Sequence, residues 1–124
     1  MEMVDLNYVV TMCRLKNKKI EEVVRFKTYI PVAEKLVAID EYIKSLNCYT
    51  HGKKHIDSFE QYFKFTMLAV MLYTNITING TYEEYDTLVK NQLLDEIFTH
   101  IQKDYSDLHS IMQMKLNDYL RILE

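Results

Sequence analysis

The chain contains a single proline, Pro31, only two glycines, Gly52 and Gly80, and no tryptophan among its 124 residues. So few glycines leave almost no backbone freedom for phosphate-cradling loops or strained catalytic turns. The two cysteines, Cys13 and Cys48, show no spacing pattern that would build a disulfide framework, so a reducing compartment is the simpler expectation. The longest apolar stretch, Phe65 to Tyr73, falls far short of the roughly 20 residues that cross a bilayer, and no membrane partner is expected. The opening Met1–Asp5 is acidic and lacks an apolar core of signal-peptide length, which argues against secretion. Asn75-Ile76-Thr77 and Asn79-Gly80-Thr81 match the glycosylation acceptor pattern, but without an export signal they read as chance.

What is present describes a folded domain. A hydrophobic content of 48% with 27% charge argues against disorder, and the length suits one core and therefore one domain over residues 1–124. The net charge of −3 hides an asymmetry: Arg14 to Lys27 holds six basic residues against two acidic, whereas Thr81 onward holds four basic against nine acidic. Opposite-signed ends can stack head to tail or orient a charged partner, although a lysine-decorated hairpin beside solvated helices is the plainer explanation.

Residues Tyr8–Leu15 and Ile20–Ile30 are rich in β-branched and aromatic types, and Val24, Phe26, Thr28 and Ile30 alternate with Arg25, Lys27 and Tyr29. This pattern predicts two strands joined by Lys16-Asn17-Lys18-Lys19, with Asn17 in a left-handed conformation: a β-hairpin over about 7–30. Pro31 suits the first position of a helix over about 31–47, whose apolar stripe is Val32, Leu36, Ile39, Ile43 and Leu46, with Lys35 on the polar remainder. Ser58 and Gln61 form a capping box for a helix over about 58–74, which is apolar enough from Phe65 onward to be the centre of the core. The segment Tyr73–Gly80 alternates briefly and predicts a short third strand. Thr81 and Glu84 form a second capping box, for a helix over about 82–90, followed by helices over 92–103 and, capped by Ser106, 106–123. The expected fold is α+β and helix-dominated: an N-terminal β-hairpin packed on four or five α-helices.

The sharpest candidate for chemistry is the loop after the first long helix, where Cys48, His51, His55 and Asp57 offer the atoms of a zinc tetrahedron. Structural zinc sites draw ligands from two separated knuckles, and Lys53 and Lys54 put positive charge beside any ion, so a polar solvated loop is the favoured reading. Cys48 with either loop histidine could also form a nucleophile and base, but nothing marks an oxyanion hole or an orienting third group. The paired carboxylates Glu21-Glu22, Asp40-Glu41, Glu83-Glu84 and Asp95-Glu96 are adjacent in sequence and so point apart. His100 and His109 sit singly. No enzymatic activity and no cofactor are expected.

The basic segment, with Tyr8, Phe26 and Tyr29 interleaved, could hold nucleic acid through phosphate pairing and stacking, which the acidic remainder opposes. The ten tyrosines point instead to contact surfaces, since tyrosine carries apolar area with a polar tip. Tyr8, Tyr29 and Tyr49 beside the hairpin, and Tyr119 and Leu123 on the last helix, are the candidate interaction residues.

Three stretches, Arg25-Phe26-Lys27-Thr28-Tyr29-Ile30-Pro31 through Glu34-Lys35, then Tyr73-Thr74-Asn75-Ile76, then Asp86-Thr87-Leu88-Val89 with Leu93-Leu94-Asp95, occur in an order that resembles a group of small phage- and prophage-encoded proteins of low-GC Gram-positive bacteria. The resemblance spans most of the chain, and its motifs are structural; members of the group often carry glycine where this chain has Gln92. It implies a phage structural or assembly protein, such as a head-tail connector, completion or tail-assembly factor. Its partners would be other phage proteins and copies of itself, in the virion or host cytoplasm. The alternative it implies is an inhibitor of a host protein, in which Glu83, Glu84, Asp86, Asp95, Glu96, Asp104 and Asp107 would imitate nucleic acid.

Overall fold

The computed structural model describes residues 2–46, 49–50, 53–54 and 57–122, with backbone alone at 49–50, 53–54 and 122. The fold is helix-dominated α+β. In chain order it contains β1 (Val4–Asp5), α1 (Leu6–Val10), α2 (Ile20–Val23), α3 (Val32–Ser45), β2 (Tyr49–Thr50), β3 (Lys53–Lys54), α4 (Ser58–Tyr73), β4 (Ile76–Thr77), α5 (Tyr82–Lys90) and α6 (Leu93–Ile122).

The hairpin expected over 7–30 does not form. Asp5 caps α1 by accepting the Asn7 N–H at 2.8 Å, and the helix continues into a π-helical stretch, Thr11–Leu15. Leu6, Val9 and Cys13 are buried, three and four residues apart, so one helical face is driven into the core. That burial outweighs the β preference of Val9, Val10 and Thr11, which is a weak and context-dependent bias. Asn17 does adopt a left-handed conformation (φ 56°), but it ends this helix instead of turning a hairpin. The second predicted strand is extended only from Val24 onward. It pairs through a single antiparallel bridge, Phe26 to Thr74, with the Lys27 N–H donating to the Tyr73 carbonyl at 2.8 Å.

The third strand predicted after α4 is present as β4, and its partner is the chain's own start. Val4 pairs with Ile76 and Asp5 with Thr77 in a parallel ladder. Asn75, almost fully buried, sews these segments together: its Oδ1 accepts from the Arg25 N–H at 2.9 Å and its Nδ2 donates to the Glu2 carbonyl at 2.7 Å.

Pro31 stands one residue earlier than predicted, at the N-cap of α3, where its carbonyl accepts the Lys35 N–H. The buried face of α3 is rotated from the expected stripe: Lys35, Ile39, Tyr42 and Ile43 face inward with Leu46 beyond them, while Val32 is exposed. α4 is capped by Asp57, not Ser58, its carboxylate accepting the Glu60 N–H at 3.0 Å. A charged acceptor at the helix start also meets the favourable end of the helix dipole. α3 and α4 run antiparallel, as the Lys64 ammonium bonding the Ser45 carbonyl and the shared lining of Ala38, Leu68 and Met71 require. α4 buries Phe63, Phe65, Thr66, Met67, Ala69, Val70 and Tyr73.

The capping box at Thr81 is as predicted: the Thr81 hydroxyl accepts the Glu84 N–H at 3.2 Å, and the Glu84 carboxylate accepts the Thr81 N–H at 2.8 Å. α5 ends at Asn91, and Gln92 takes φ 60°, the left-handed conformation that turns the chain into α6. The two helices predicted over 92–103 and 106–123 are one. α6 runs unbroken for 30 residues, about 45 Å, because no proline or glycine interrupts it and its buried stripe continues through position 104. Asp104, which falls between the two predicted helices, lies on that stripe.

Candidate interaction surface

The polar centre of the fold accounts for several residues that sequence analysis singled out. Asp104 Oδ1 accepts from Lys35 Nζ at 3.1 Å, and its Oδ2 accepts from the Tyr73 hydroxyl at 2.6 Å and the Ile30 N–H at 3.1 Å. Lys35 Nζ also reaches Asp107 Oδ2 at 2.7 Å, and lies 5.1 Å from the centroid of the Tyr29 ring. Burial pushes the Asp104 carboxyl up, but the bonds from Tyr73, Lys35 and Ile30 outweigh it and hold the group below its ordinary value. Burial likewise pushes Lys35 down, and its bonds to Asp107 and Asp104 reverse the direction. Burial, with the bond to Asp104, raises the Tyr73 hydroxyl far above the usual tyrosine range. Residues 30, 35 and 73, far apart in sequence, thus converge on one carboxylate. The network is a clasp between α3, α4 and α6, with every polar partner supplied by the chain itself.

This clasp and similar contacts give four of the seven carboxylates of the acidic set partners within the chain, although only Asp104 is buried. Asp104 and Asp107 are held by Lys35, Glu96 pairs with Arg14 at 2.9 Å, and Glu84 is committed to its capping box. Glu83, Asp86 and Asp95 are exposed, and so is Asp107 despite its bond to Lys35.

Among the described residues no three His, Cys, Asp or Glu side chains come together in a way that could hold a metal ion. Of the four loop candidates, Cys48, His51 and His55 lie outside the described residues, and Asp57 is the α4 cap. Cys13 is buried; desolvation and the nearby Glu96 raise its thiol, the opposite of what a nucleophile needs. His100 stacks on Phe26 with ring centroids 4.4 Å apart, and His109 meets the edge of Phe65.

Tyr8 is 51% exposed on α1, and Tyr29 is 65% exposed while covering the Lys35 ammonium. Tyr119 is half-buried against the core. The Tyr49 side chain and Leu123 lie outside the described residues.

Two surfaces stand out that the sequence reading did not single out. The first is a groove of about 540 Å³ between α3 and α4, lined by Ala33, Ala38, Leu68 and Leu72 together with Val37 (61% exposed) and Met71 (41% exposed). A second depression of about 300 Å³ shares Ala38, Glu41, Leu68 and Met71 with it, so the two form one trough along the helix pair. Glu34 and Glu41 line the α3 side; Lys27 stands at one end and Lys64 towards the other. Val37 was the available signal, an apolar residue lying off the inward stripe of α3. The second surface is an aromatic ledge where α4 begins beside α5. Phe59, Tyr62 and Tyr82 are each about half-exposed and touch the buried Phe63 and the half-buried Tyr85 ring to ring. The Tyr62 and Tyr85 hydroxyls share a hydrogen bond of 3.1 Å, which with partial burial pushes Tyr85 up to about 12.

No described helix is long and apolar enough to cross a membrane. No protein-family model, curated protein or solved structure matches the chain.

Proposed function

We propose that this protein is a phage structural or assembly factor that acts through protein–protein contacts, with the α3–α4 trough as the face that receives its partner. The observation that carries this reading is the trough itself. It sets the exposed Val37 and Met71 beside Ala33, Ala38, Leu68 and Leu72 in one apolar depression. An apolar trough between two helices fits the apolar face of a third, and alanines at 33 and 38 let a helix backbone approach closely. Glu34 and Glu41 on one wall, with Lys27 and Lys64 at the other side, fix the direction in which such a helix lies. The phage assignment rests on the sequence resemblance described above.

Inhibition of a host protein by nucleic-acid mimicry has less support, because four of its seven carboxylates are committed to internal partners. Deletion of the gene from its phage, complemented in trans, tests the assembly reading. Wild-type protein restores infectious particles, and a folded Val37→Glu/Met71→Glu variant does not. Normal particle assembly by the deletion phage would refute the proposal. Normal particles combined with failed infection of particular hosts would favour the inhibitor.

A further inference from the structure

Two complementary surfaces lie at opposite ends of α5, about 13 Å apart along its axis. At its C-terminal end, the turn that follows the π-helical stretch is built rigidly. Arg14 Nε donates to the Asn91 carbonyl at 2.6 Å, Arg14 Nη2 meets Glu96 at 2.9 Å, and the Lys18 N–H donates to the Met12 carbonyl at 2.9 Å. Leu15, the last residue of the π-helical stretch, is 74% exposed, the most exposed large apolar side chain among the described residues. Lys16, Lys18 and Lys19 follow it, all exposed, and Lys90 precedes the Asn91 carbonyl that Arg14 holds. Two carboxylates lie close by, Glu22, which accepts the Lys19 N–H, and Glu21, 3.5 Å from the His100 ring, and the four lysines outnumber them. The result is an exposed apolar knob on a lysine-rich segment.

At the N-terminal end stands the aromatic ledge, with the opposite chemistry. Its exposed rings, Phe59, Tyr62 and Tyr82, offer an apolar seat; Glu60, which accepts the Tyr82 hydroxyl at 2.5 Å, and Asp57, which caps α4, lie near Tyr82, and Asp86 lies near Tyr85. Lys64 lies 3.7 Å from Glu60 and offsets one of these charges in part. Ammonium groups brought here meet carboxylates and tyrosine faces together, a combination that binds cations more firmly than either alone.

We propose that copies of this chain associate head to tail, the Leu15 knob of one seated on the Tyr82 ledge of the next. The inference builds on the reading that the protein works through protein contacts. Because knob and ledge are different patches at opposite ends of α5, the contact is heterologous and adds copies into a ring or filament. Lysine and carboxylate partners make it weaken as salt screens them.

The test uses two variants altered only at exposed positions: Leu15→Asp/Lys18→Glu, which spoils the knob, and Tyr82→Lys/Asp86→Lys, which spoils the ledge. Sedimentation velocity at up to about 1 mM protein, in about 0.05 M and about 0.5 M salt, gives the readout. Wild-type protein forms species larger than a dimer at low salt and loses them at high salt. Each variant alone is a folded monomer, and their equimolar mixture forms a dimer and nothing larger, because each supplies one intact face. A monomeric wild type under all conditions overturns head-to-tail association, while leaving the α3–α4 trough to be judged by complementation. Association of the wild type with no dimer in the mixture also overturns it.

Discussion

Lys35 holds Asp104 at 3.1 Å although the two residues stand 69 positions apart and their side chains are only 2% and 9% exposed. A buried pair of this kind contributes modestly against an apolar replacement, but breaking it strands a charge. Lys35→Met leaves Asp104 facing only the Tyr73 hydroxyl and the Ile30 N–H, and should cost about 3–5 kcal/mol in urea denaturation. A loss below about 1 kcal/mol would mean that the carboxylate finds another cation or simply takes a proton.

The same pair sets the acid and alkaline behaviour. Asp104 titrates below its ordinary 3.8 in the folded state, so its stabilising contribution is complete above that value and disappears as pH falls through the lower folded one. Lys35 is raised above 10.5, so its contribution is complete below that value and disappears as pH rises through the higher folded one. The pair therefore leaves stability flat between those limits. Asp104→Asn should start less stable and show a shallower loss of Tm on acidification below pH 3.8. An acid limb as steep as that of the wild type would assign the effect to other carboxylates.

Gln92 sits at φ 60° between α5 and α6, where a side chain costs about 1–2 kcal/mol that glycine avoids. Glycine gives some of that back through its freer unfolded chain, so Gln92→Gly should stabilise by about 1 kcal/mol and raise Tm by about 3–5 °C. Gln92→Ala should give no such gain. If glycine lowers Tm, the helix junction does not hold this conformation in solution.

Asn75 ties residue 25 and the start of the chain to β4 through both ends of its amide. Asn75→Leu leaves the part-buried Arg25 N–H and Glu2 carbonyl without these partners, at a cost of about 0.5–1.5 kcal/mol for each bond lost. Hydrogen exchange should quicken first at Val4 and Arg25, while the amides in the middle of α6 remain protected. Uniform loss of protection would show that the clasp is part of the global fold and not a local seam.

Where local chemistry decides, the sequence was readable. Thr81 and Glu84 lie three residues apart and cap α5 wherever the rest of the chain goes. Pro31 marks the start of α3 to within one residue, because its fixed φ and missing N–H permit little else there. The Tyr73–Gly80 segment was legible as a strand, but not its partner, since Val4 pairs with it across more than seventy residues. The candidate surface was the least legible part. Tyr8 and Tyr29 are exposed as tyrosine chemistry suggests, yet the trough depends on which face of α3 turns inward, and a buried lysine rotated that face.

By itself the sequence determined that this would be a helix-rich fold with α+β character, closed by polar caps and almost free of breakers, because those signals act within a few residues. Tertiary structure alone decided that Leu6–Leu15 coils instead of extending, and that Asp104 sits mid-helix instead of ending one. The reason is the same in both cases. Local preference amounts to about 1 kcal/mol, and it yields when a distant surface offers Leu6, Val9 and Cys13 a core, or a distant lysine offers Asp104 its charge.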